Sequence, residues 1–306
     1  GHFVIDPEDR RRGPFDLGNF NKHDWFMSPF HSTSEMCATC HDVSNPAFTD
    51  AGGGVYVLND LDTAHPTADK YDMFPVERTY SEWKASAFAL GPIEMGGRFG
   101  GEKTAVSTCQ DCHQPDTVGK GCKTGDDRPD LPQHDFNGGN SWILRGVRAL
   151  YDDADSYLTE ASAEASIARA VSMLERASDM TLTQDGDDLV VRITNETGHK
   201  LPSGYPEGRR IWINVRFLDD LDGVVAEHGA YDFGTAELTQ ADTKVYEAKL
   251  GVDAAVTGAT GIPEGPSFHF AVANKRYKDN RSPPRGFTNA GFVAIQSEPV
   301  AYAYAD

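Results

Sequence analysis

The sequence has no apolar run long enough to cross a membrane, an excess of acidic over basic residues, and only five cysteines. A membrane-spanning helix needs about 20 consecutive apolar residues, and the mean hydropathy here is -0.49. We therefore expect no transmembrane segment. The 28 Lys and Arg residues against 47 Asp and Glu give a net charge of -19. This charge argues against nucleic acid or an anionic membrane surface as a partner and favours a basic protein partner.

The chain opens at Gly1 with neither an initiator methionine nor a charged segment followed by an apolar one. We interpret it as a mature chain or an internal fragment of a longer protein. Its 306 residues are enough for two domains or one large one.

Four of the five cysteines lie in two copies of one pattern, Cys37-Ala38-Thr39-Cys40-His41 and Cys109-Gln110-Asp111-Cys112-His113. C-x-x-C-H is the motif of c-type haem attachment, in which both thiols bond to the porphyrin vinyl groups and the histidine binds the iron. Two intervening residues let both sulfurs reach one edge of the macrocycle and bring the imidazole beneath the iron. We predict two covalent haem c groups bound by Cys37, Cys40, His41, Cys109, Cys112 and His113.

A lone C-x-x-C also suits a zinc site or a thioredoxin-like dithiol. The histidine directly after the second cysteine in both copies argues against these alternatives. Thioether attachment of haem takes place outside the cytoplasm, so the predicted localisation is periplasmic or extracellular. Cys122, the fifth cysteine, is interpreted as an inert thiol or as an intermolecular contact.

Each iron also needs a second axial ligand if the haem is a pure electron carrier. Eight histidines lie outside the motifs, and the four candidate iron ligands among them are His31, His65, His134 and His199. His199 ranks first because Gly198, Pro202 and Gly204 stiffen its loop, and His134 ranks second because neighbouring glycines allow a close approach to a flat macrocycle. Methionine ligation is the alternative, with Met27, Met36, Met73 and Met95 as candidates.

The periodicity of apolar residues divides the chain near residue 178. Helical spacing is found from Glu77 to Leu90 and from about Thr159 to Ser178, and residues 1–36 and 50–75 have the composition of loops. An Asp-Gly turn between two β-rich runs predicts a hairpin over 180–194. Further strands are predicted at 210–218, 224–227 and 267–272. The predicted fold class is α+β, with a helix-and-loop dihaem domain over 1–178 and an antiparallel, Ig-like β-sandwich over 179–306.

The chain resembles bacterial multihaem c-type cytochromes. Besides the two motifs, the resemblance is carried by 80–86 (YSEWKAS), 134–140 (HDFNGGN), 197–204 (TGHKLPSG) and 279–287 (DNRSPPRGF). It implies electron transfer, bis-histidine haems and a helix-poor haem domain, and it does not define a substrate. Many such proteins carry four or more haems, so a chain with two would be a reduced member or a subunit that works beside others.

Electron transfer is the predicted function, with other redox proteins or copies of this chain as partners in a larger haem assembly. We expect the haems near opposite faces of the molecule and the β-sandwich at the contact. The alternative is a dihaem oxidoreductase, peroxidase-like or acting on small nitrogen compounds, with one open haem site. No acid–base constellation can be localised from the sequence, which favours the carrier.

Overall fold

The computed structural model describes residues 5–19, 21–60, 62–241 and 243–306. Within these ranges the chain forms 19 short strands and eight α-helices. The strands are β1 (Arg11–Gly13), β2 (Trp25–Met27), β3 (Val43–Asp50), β4 (Tyr56–Leu58), β5 (Met73–Glu77), β6 (Ile93–Glu94), β7 (Ala105–Val106), β8 (Asp116–Lys120), β9 (Asp127–Pro132), β10 (Ser178–Asp185), β11 (Asp188–Asn195), β12 (Arg210–Trp212), β13 (Val215–Leu218), β14 (Val224–His228), β15 (Tyr231–Asp232), β16 (Glu237–Leu238), β17 (Val245–Val252), β18 (Gly265–Pro266) and β19 (Lys275–Asp279). The helices are α1 (Glu35–Ala38), α2 (Thr79–Lys84), α3 (Cys109–His113), α4 (Ile143–Leu150), α5 (Asp153–Ser156), α6 (Glu160–Arg176), α7 (Ala254–Thr260) and α8 (Asn289–Val293).

The chain divides into two compact units, each built from three segments. Unit 1 comprises residues 1–41, 80–199 and 284–286, and unit 2 comprises 42–79, 200–283 and 287–306. The predicted boundary at residue 178 falls between α6 and β10, inside unit 1.

Unit 1 contains two-stranded sheets and one long helix, α6. The Thr159 hydroxyl caps α6 by accepting a hydrogen bond from the Ser162 N–H at 3.3 Å. The helix buries Ala163, Ile167 and Ala170, which recur at spacings of three and four residues. A separate apolar cluster is formed by buried Phe88, Phe99 and Val106, with Trp83 and Met173 packed against it.

Residues 284–286 close unit 1 from far along the sequence. The Ala87 N–H donates to the Arg285 carbonyl at 2.8 Å, and the Arg285 guanidinium pairs with the buried carboxylate of Glu196. Gly286 has φ +80°, and a Cβ there would lie 2.7 Å from the Ala87 nitrogen. Glycine is therefore required at this close approach.

Unit 2 is organised around β3 and β17. Strand β3 pairs with β4 and β5, and β17 pairs with β12, β18 and β19. Their apolar faces form one core cluster, in which the rings of Tyr56 and Phe74 pack edge to face with centroids 5.1 Å apart. The buried members of this cluster are Phe48, Tyr56, Phe74, Leu250, Val252, Val256 and Ala273.

A buried ionic cluster also stabilises unit 2. The Asp279 carboxylate accepts hydrogen bonds from Lys200 Nζ at 2.9 Å and from two guanidinium nitrogens of Arg281, at 2.9 and 2.7 Å. Burial opposes the ionisation of Asp279, but the positive charges of Arg281 and Lys200 outweigh it and lower its pKa. Three ionic groups are therefore held inside unit 2 by mutual compensation.

The predicted combination of a helix-and-loop domain and a β-sandwich is wrong. Strands occur along the whole described chain, in small and mostly antiparallel sheets of two to four strands. The region 50–75, predicted as loop, contains β4 and the start of β5, and both pair with β3. In the C-terminal region most strands have two to five residues, and β13–β14 and β15–β16 are separate hairpins. Frequent Asp and Gly turns keep these strands too short to build two large facing sheets.

Among the described residues, no helix is both long enough and apolar enough to cross a membrane.

Candidate functional site

Both cysteine motifs lie in unit 1, the second on a short helix and the first across the C-terminal end of one. The second motif coincides with α3, whose N-terminus is a capping box: Thr108 Oγ1 accepts from the Asp111 N–H, and Asp111 Oδ2 accepts from the Thr108 N–H at 2.9 Å. Lys103 Nζ lies 2.6 Å from Asp111 Oδ1 and fixes the carboxylate further. Asp111, which occupies a variable position of the motif, therefore stabilises the start of the helix that carries Cys109, Cys112 and His113.

The first motif begins on α1. Ser34, the N-cap residue of this helix, forms a hydrogen bond with the second motif. Ser34 does not cap α1 with its side chain. Its hydroxyl oxygen instead accepts a hydrogen bond from the Cys109 N–H at 3.1 Å. Gln110, between the two cysteines of the second motif, donates through Nε2 to the carbonyl oxygens of His31 and Thr33, at 3.2 and 2.7 Å. The N-terminal ends of the two motif helices are thus bonded to each other.

The Cys37 and Cys109 side chains influence each other across this contact. Their interaction raises the pKa of Cys37 and lowers the pKa of Cys109. Burial raises the pKa of Cys112 to about 12. Of these three thiols, Cys109 therefore ionises most readily.

His113 has its ring fixed by the backbone. Its Nδ1 lies 2.7 Å from the Asn137 carbonyl oxygen. A carbonyl only accepts, so Nδ1 carries the proton and Nε2 keeps a lone pair available to a metal ion. Burial, followed by the nearby His199, lowers the pKa of His113 to about 4. His113 is therefore neutral at physiological pH, the form that binds metals.

His199 lies opposite His113. The two ring centroids are 6.4 Å apart and the ring planes differ by 15°. With metal–nitrogen bonds of about 2 Å, as in zinc–imidazole sites, and a nitrogen-to-centroid distance of ~1.2 Å, two imidazoles on opposite sides of one ion have centroids ~6 Å apart. The separation of His113 and His199 fits a shared metal ion.

The loop that holds His199 is fixed by side chain–backbone hydrogen bonds. Asn195 Nδ2 and Thr197 Oγ1 both donate to the His199 carbonyl oxygen, at 2.8 and 2.9 Å. Asn195 Oδ1 accepts from the Thr197 N–H at 2.8 Å. Gly198 is required by a close approach, because a Cβ there would lie 2.9 Å from Cδ1 of Trp83. The loop is therefore built to keep the imidazole in one place.

The other predicted ligands lie in different surroundings. His41 is exposed, its carbonyl accepts from the Tyr80 N–H at 2.9 Å, and its charge contributes to the low pKa of His113. His31 lies beside α3, because its carbonyl oxygen accepts a hydrogen bond from Gln110 Nε2. Its Nδ1 lies 3.3 Å from the Ser28 carbonyl oxygen. His134 is exposed, with its ring 5.7 Å from that of Phe136.

His65 belongs to unit 2 and has both ring nitrogens in hydrogen bonds. Nε2 lies 3.0 Å from Thr49 Oγ1, and Nδ1 accepts from the Thr67 N–H at 3.3 Å. Ligation by His31, His65 or His134 stays a prediction.

An open cavity lies beside the second motif, lined in part by Cys112, His113, Phe99, Arg169 and Met173. Across the described ranges, no three His, Cys, Asp or Glu side chains form a cluster suited to a metal ion. The arrangement best suited to a metal ion is the pair of imidazoles of His113 and His199, with the motif cysteines beside it.

Sequence reasoning did not find Gln110, Asn137 or Asn195 as residues of the site. Asn137 acts through its backbone carbonyl, which leaves no trace in the sequence. Gln110 occupies a variable position of the motif, where any residue type satisfies the pattern. The Asn195-x-Thr197 spacing is typical of a side chain-capped turn and was the one available signal.

No family model, curated protein or solved structure matches this chain.

Proposed function

We propose that this chain is an electron-transfer protein of the bacterial multihaem c-type cytochrome family, with two covalently attached haems. Cys37 and Cys40 would hold one haem and Cys109 and Cys112 the other, with His41 and His113 as the axial ligands of the two motifs. A bound haem supplies a one-electron iron couple. The observation that carries the proposal is the fixed, parallel pair of His113 and His199 at a separation suited to one ion.

The ligand pair favours a carrier over an oxidoreductase. If His113 and His199 both held one iron, that iron would have no coordination position left for a substrate. The neutral state of His113 and the hydrogen bond from its Nδ1 to Asn137 prepare Nε2 for this role. Asn195, Thr197 and Gly198 would hold His199 in place and thereby limit ligand exchange at that iron.

The proposed location and partners follow from the cofactor and the charge. Thioether attachment places the protein outside the cytoplasm, in the periplasm or at the cell exterior. The net charge of -19 suits a basic electron-transfer partner. Association with other haem proteins, or with copies of this chain, belongs to the same proposal.

The test is a comparison of His199→Ala with His269→Ala, at an exposed histidine that is not a candidate ligand. Intact mass should show two haem additions in the wild type and in both variants, because neither change touches a motif. Paramagnetic resonance and optical spectra of His199→Ala should show one low-spin haem converted to high spin, with low spin restored by added imidazole. His269→Ala should leave the spectra unchanged.

Three results would overturn the proposal. A wild-type mass without covalent haem removes the cofactor. An unchanged spectrum in His199→Ala, or a high-spin wild type that binds cyanide, removes the closed bis-histidine carrier, and the second of these favours the oxidoreductase.

A further inference from the structure

The two motif helices contact each other through buried polar side chains. Ser34 is 1% exposed and Gln110 is 9% exposed, so both polar side chains are withdrawn from water. Burial of polar groups is costly unless they are hydrogen-bonded. Both form hydrogen bonds across the contact. Ser34 Oγ accepts from the Cys109 N–H, and Gln110 Nε2 donates to the His31 and Thr33 carbonyl oxygens.

These hydrogen bonds join specific residues at the two motifs. Ser34 immediately precedes α1, which carries Cys37, and Cys109 is the first residue of α3. The three bonds therefore join the chain at the N-terminal end of α1 to the N-terminal end of α3. Cys109 makes one of these bonds through its own N–H, and Cys37 follows Ser34 by three residues. The first cysteines of the two motifs are thereby brought close to each other, and each affects the ionisation of the other.

We propose that Ser34 and Gln110 are positioning residues that hold Cys37 and Cys109 side by side, so that the two haems form one adjacent pair. This inference rests on the proposed function, because it assigns a haem to each motif. Each of the two sulfurs would be bonded directly to the periphery of its own macrocycle. Neighbouring sulfurs therefore bring the edges of the two macrocycles close together, in place of the expectation of haems near opposite faces.

An adjacent pair behaves differently from two separate haems. Two strong chromophores in close proximity couple their Soret transitions and give a two-signed circular dichroism band. Oxidation of one iron adds a positive charge close to the other, and Coulomb interaction at short range in a low-dielectric interior separates their potentials. Electron exchange inside the pair would be fast, and the chain would accept or release two electrons at one location.

The first measurement uses the wild type and a variant without the first attachment site, Cys37→Ala with Cys40→Ala. We expect a two-signed Soret band in the wild type and a single-signed band in the variant, which should carry one haem by mass. A wild type with two haems by mass and a single-signed band would overturn the pair and leave the proposed function standing. Absence of haem by mass would instead overturn the proposed function.

The second measurement tests the positioning residues. Gln110→Glu keeps the size of the side chain but directs a carboxylate at two carbonyl oxygens, and Thr39→Ala changes a variable position of the first motif as a control. Both should retain two haems by mass. We expect Gln110→Glu to reduce the two-signed amplitude at least twofold and to narrow the gap between the two midpoint potentials, and Thr39→Ala to change neither. Equal amplitudes and potentials in Gln110→Glu and wild type would show that Gln110 does not position the pair.

Discussion

The interiors of the two units differ in what fills them. Unit 2 has a continuous cluster in which Phe48, Phe74 and Val252 are 0% exposed. In the described part of unit 1, the corresponding apolar cluster has three buried members. Other fully buried side chains of this unit include those of Ser81 and Glu82. Both units bury polar groups, but the apolar cluster that unit 2 makes from its own side chains is larger than the one in unit 1.

This difference indicates where a prosthetic group would contribute most. A large aromatic macrocycle attached in unit 1 would supply apolar volume that the side chains there do not provide, and burial of apolar surface is the main stabilising contribution to folding. We therefore expect unit 1 to depend on its cofactor and unit 2 to be independent of it.

The largest expected effect is the loss of unit 1 when its second attachment site is removed. In Cys109→Ala with Cys112→Ala, the mass should fall by one haem. Amide hydrogen exchange should then show unprotected backbone in α3, α6 and the His199 loop, with β3 and β17 still protected. Cys122→Ala, at an exposed cysteine outside the motifs, is the control and should match the wild type. Full protection of unit 1 in the double variant would contradict its dependence on haem.

A smaller effect, confined to unit 2, is expected from Asp279→Asn. The change keeps the side-chain shape and removes the Asp279 counter-charge from buried Lys200 and Arg281, which costs about 3–5 kcal/mol of unfolding free energy. Denaturant unfolding followed by tryptophan fluorescence and exchange in β19 measures it. The haem spectrum should be unchanged, and Asp220→Asn, at an exposed carboxylate, should have no effect on stability.

The same cluster makes unit 2 sensitive to acid. Because the folded pKa of Asp279 lies below its unfolded value of about 3.9, its contribution is fully present well above that value. It is lost as the pH falls from about 4 toward the lowered folded pKa. Unfolding free energy of the wild type should therefore decline with acidification in this range, and the decline should be shallower in Asp279→Asn.

The smallest expected effects distinguish two helix N-caps that are both formed by a threonine hydroxyl. Thr108→Ala and Thr159→Ala each remove an N-cap hydroxyl, at α3 and α6, and each should cost about 1 kcal/mol. Only Thr108→Ala should also shift the low-spin resonance signals, because α3 carries the His113 ligand. A spectral change of similar size in both variants would show that the effect is global rather than a property of the motif helix.

Local features of the fold could be predicted where one segment contains its own signal. The N-cap Thr159 and the apolar spacing predict α6, which runs over Glu160–Arg176, and the Asp-Gly turn predicts the β10–β11 hairpin. The helical spacing from Glu77 gives α2, followed by a 3-10 turn at Ala87–Leu90. The predicted strand at 267–272 is wrong, since Phe270–Val272 is a 3-10 turn.

Features that depend on distant contacts could not be predicted. Strand β17 is central to unit 2, yet Glu247 and Lys249 alternate with its apolar residues and Gly251 weakens its strand signal. Its partners lie up to 37 residues away in register, as for Arg210 with Glu247. The site follows the same rule: the motifs are visible in the sequence, whereas the Ser34–Cys109 and His113–His199 relationships depend on folding.

The order in which the chain contributes to unit 1 has a consequence for biosynthesis. The last segment of that unit, residues 284–286, follows the second motif by about 170 residues. Until this segment is in place, Glu196 lacks Arg285 and Ala87 lacks its carbonyl acceptor, so unit 1 remains incomplete. The proposed haem attachment takes place outside the cytoplasm and therefore follows export of the chain. We expect both cysteine motifs to be accessible to the attachment machinery before residues 284–286 close the unit, with cofactor insertion preceding that closure.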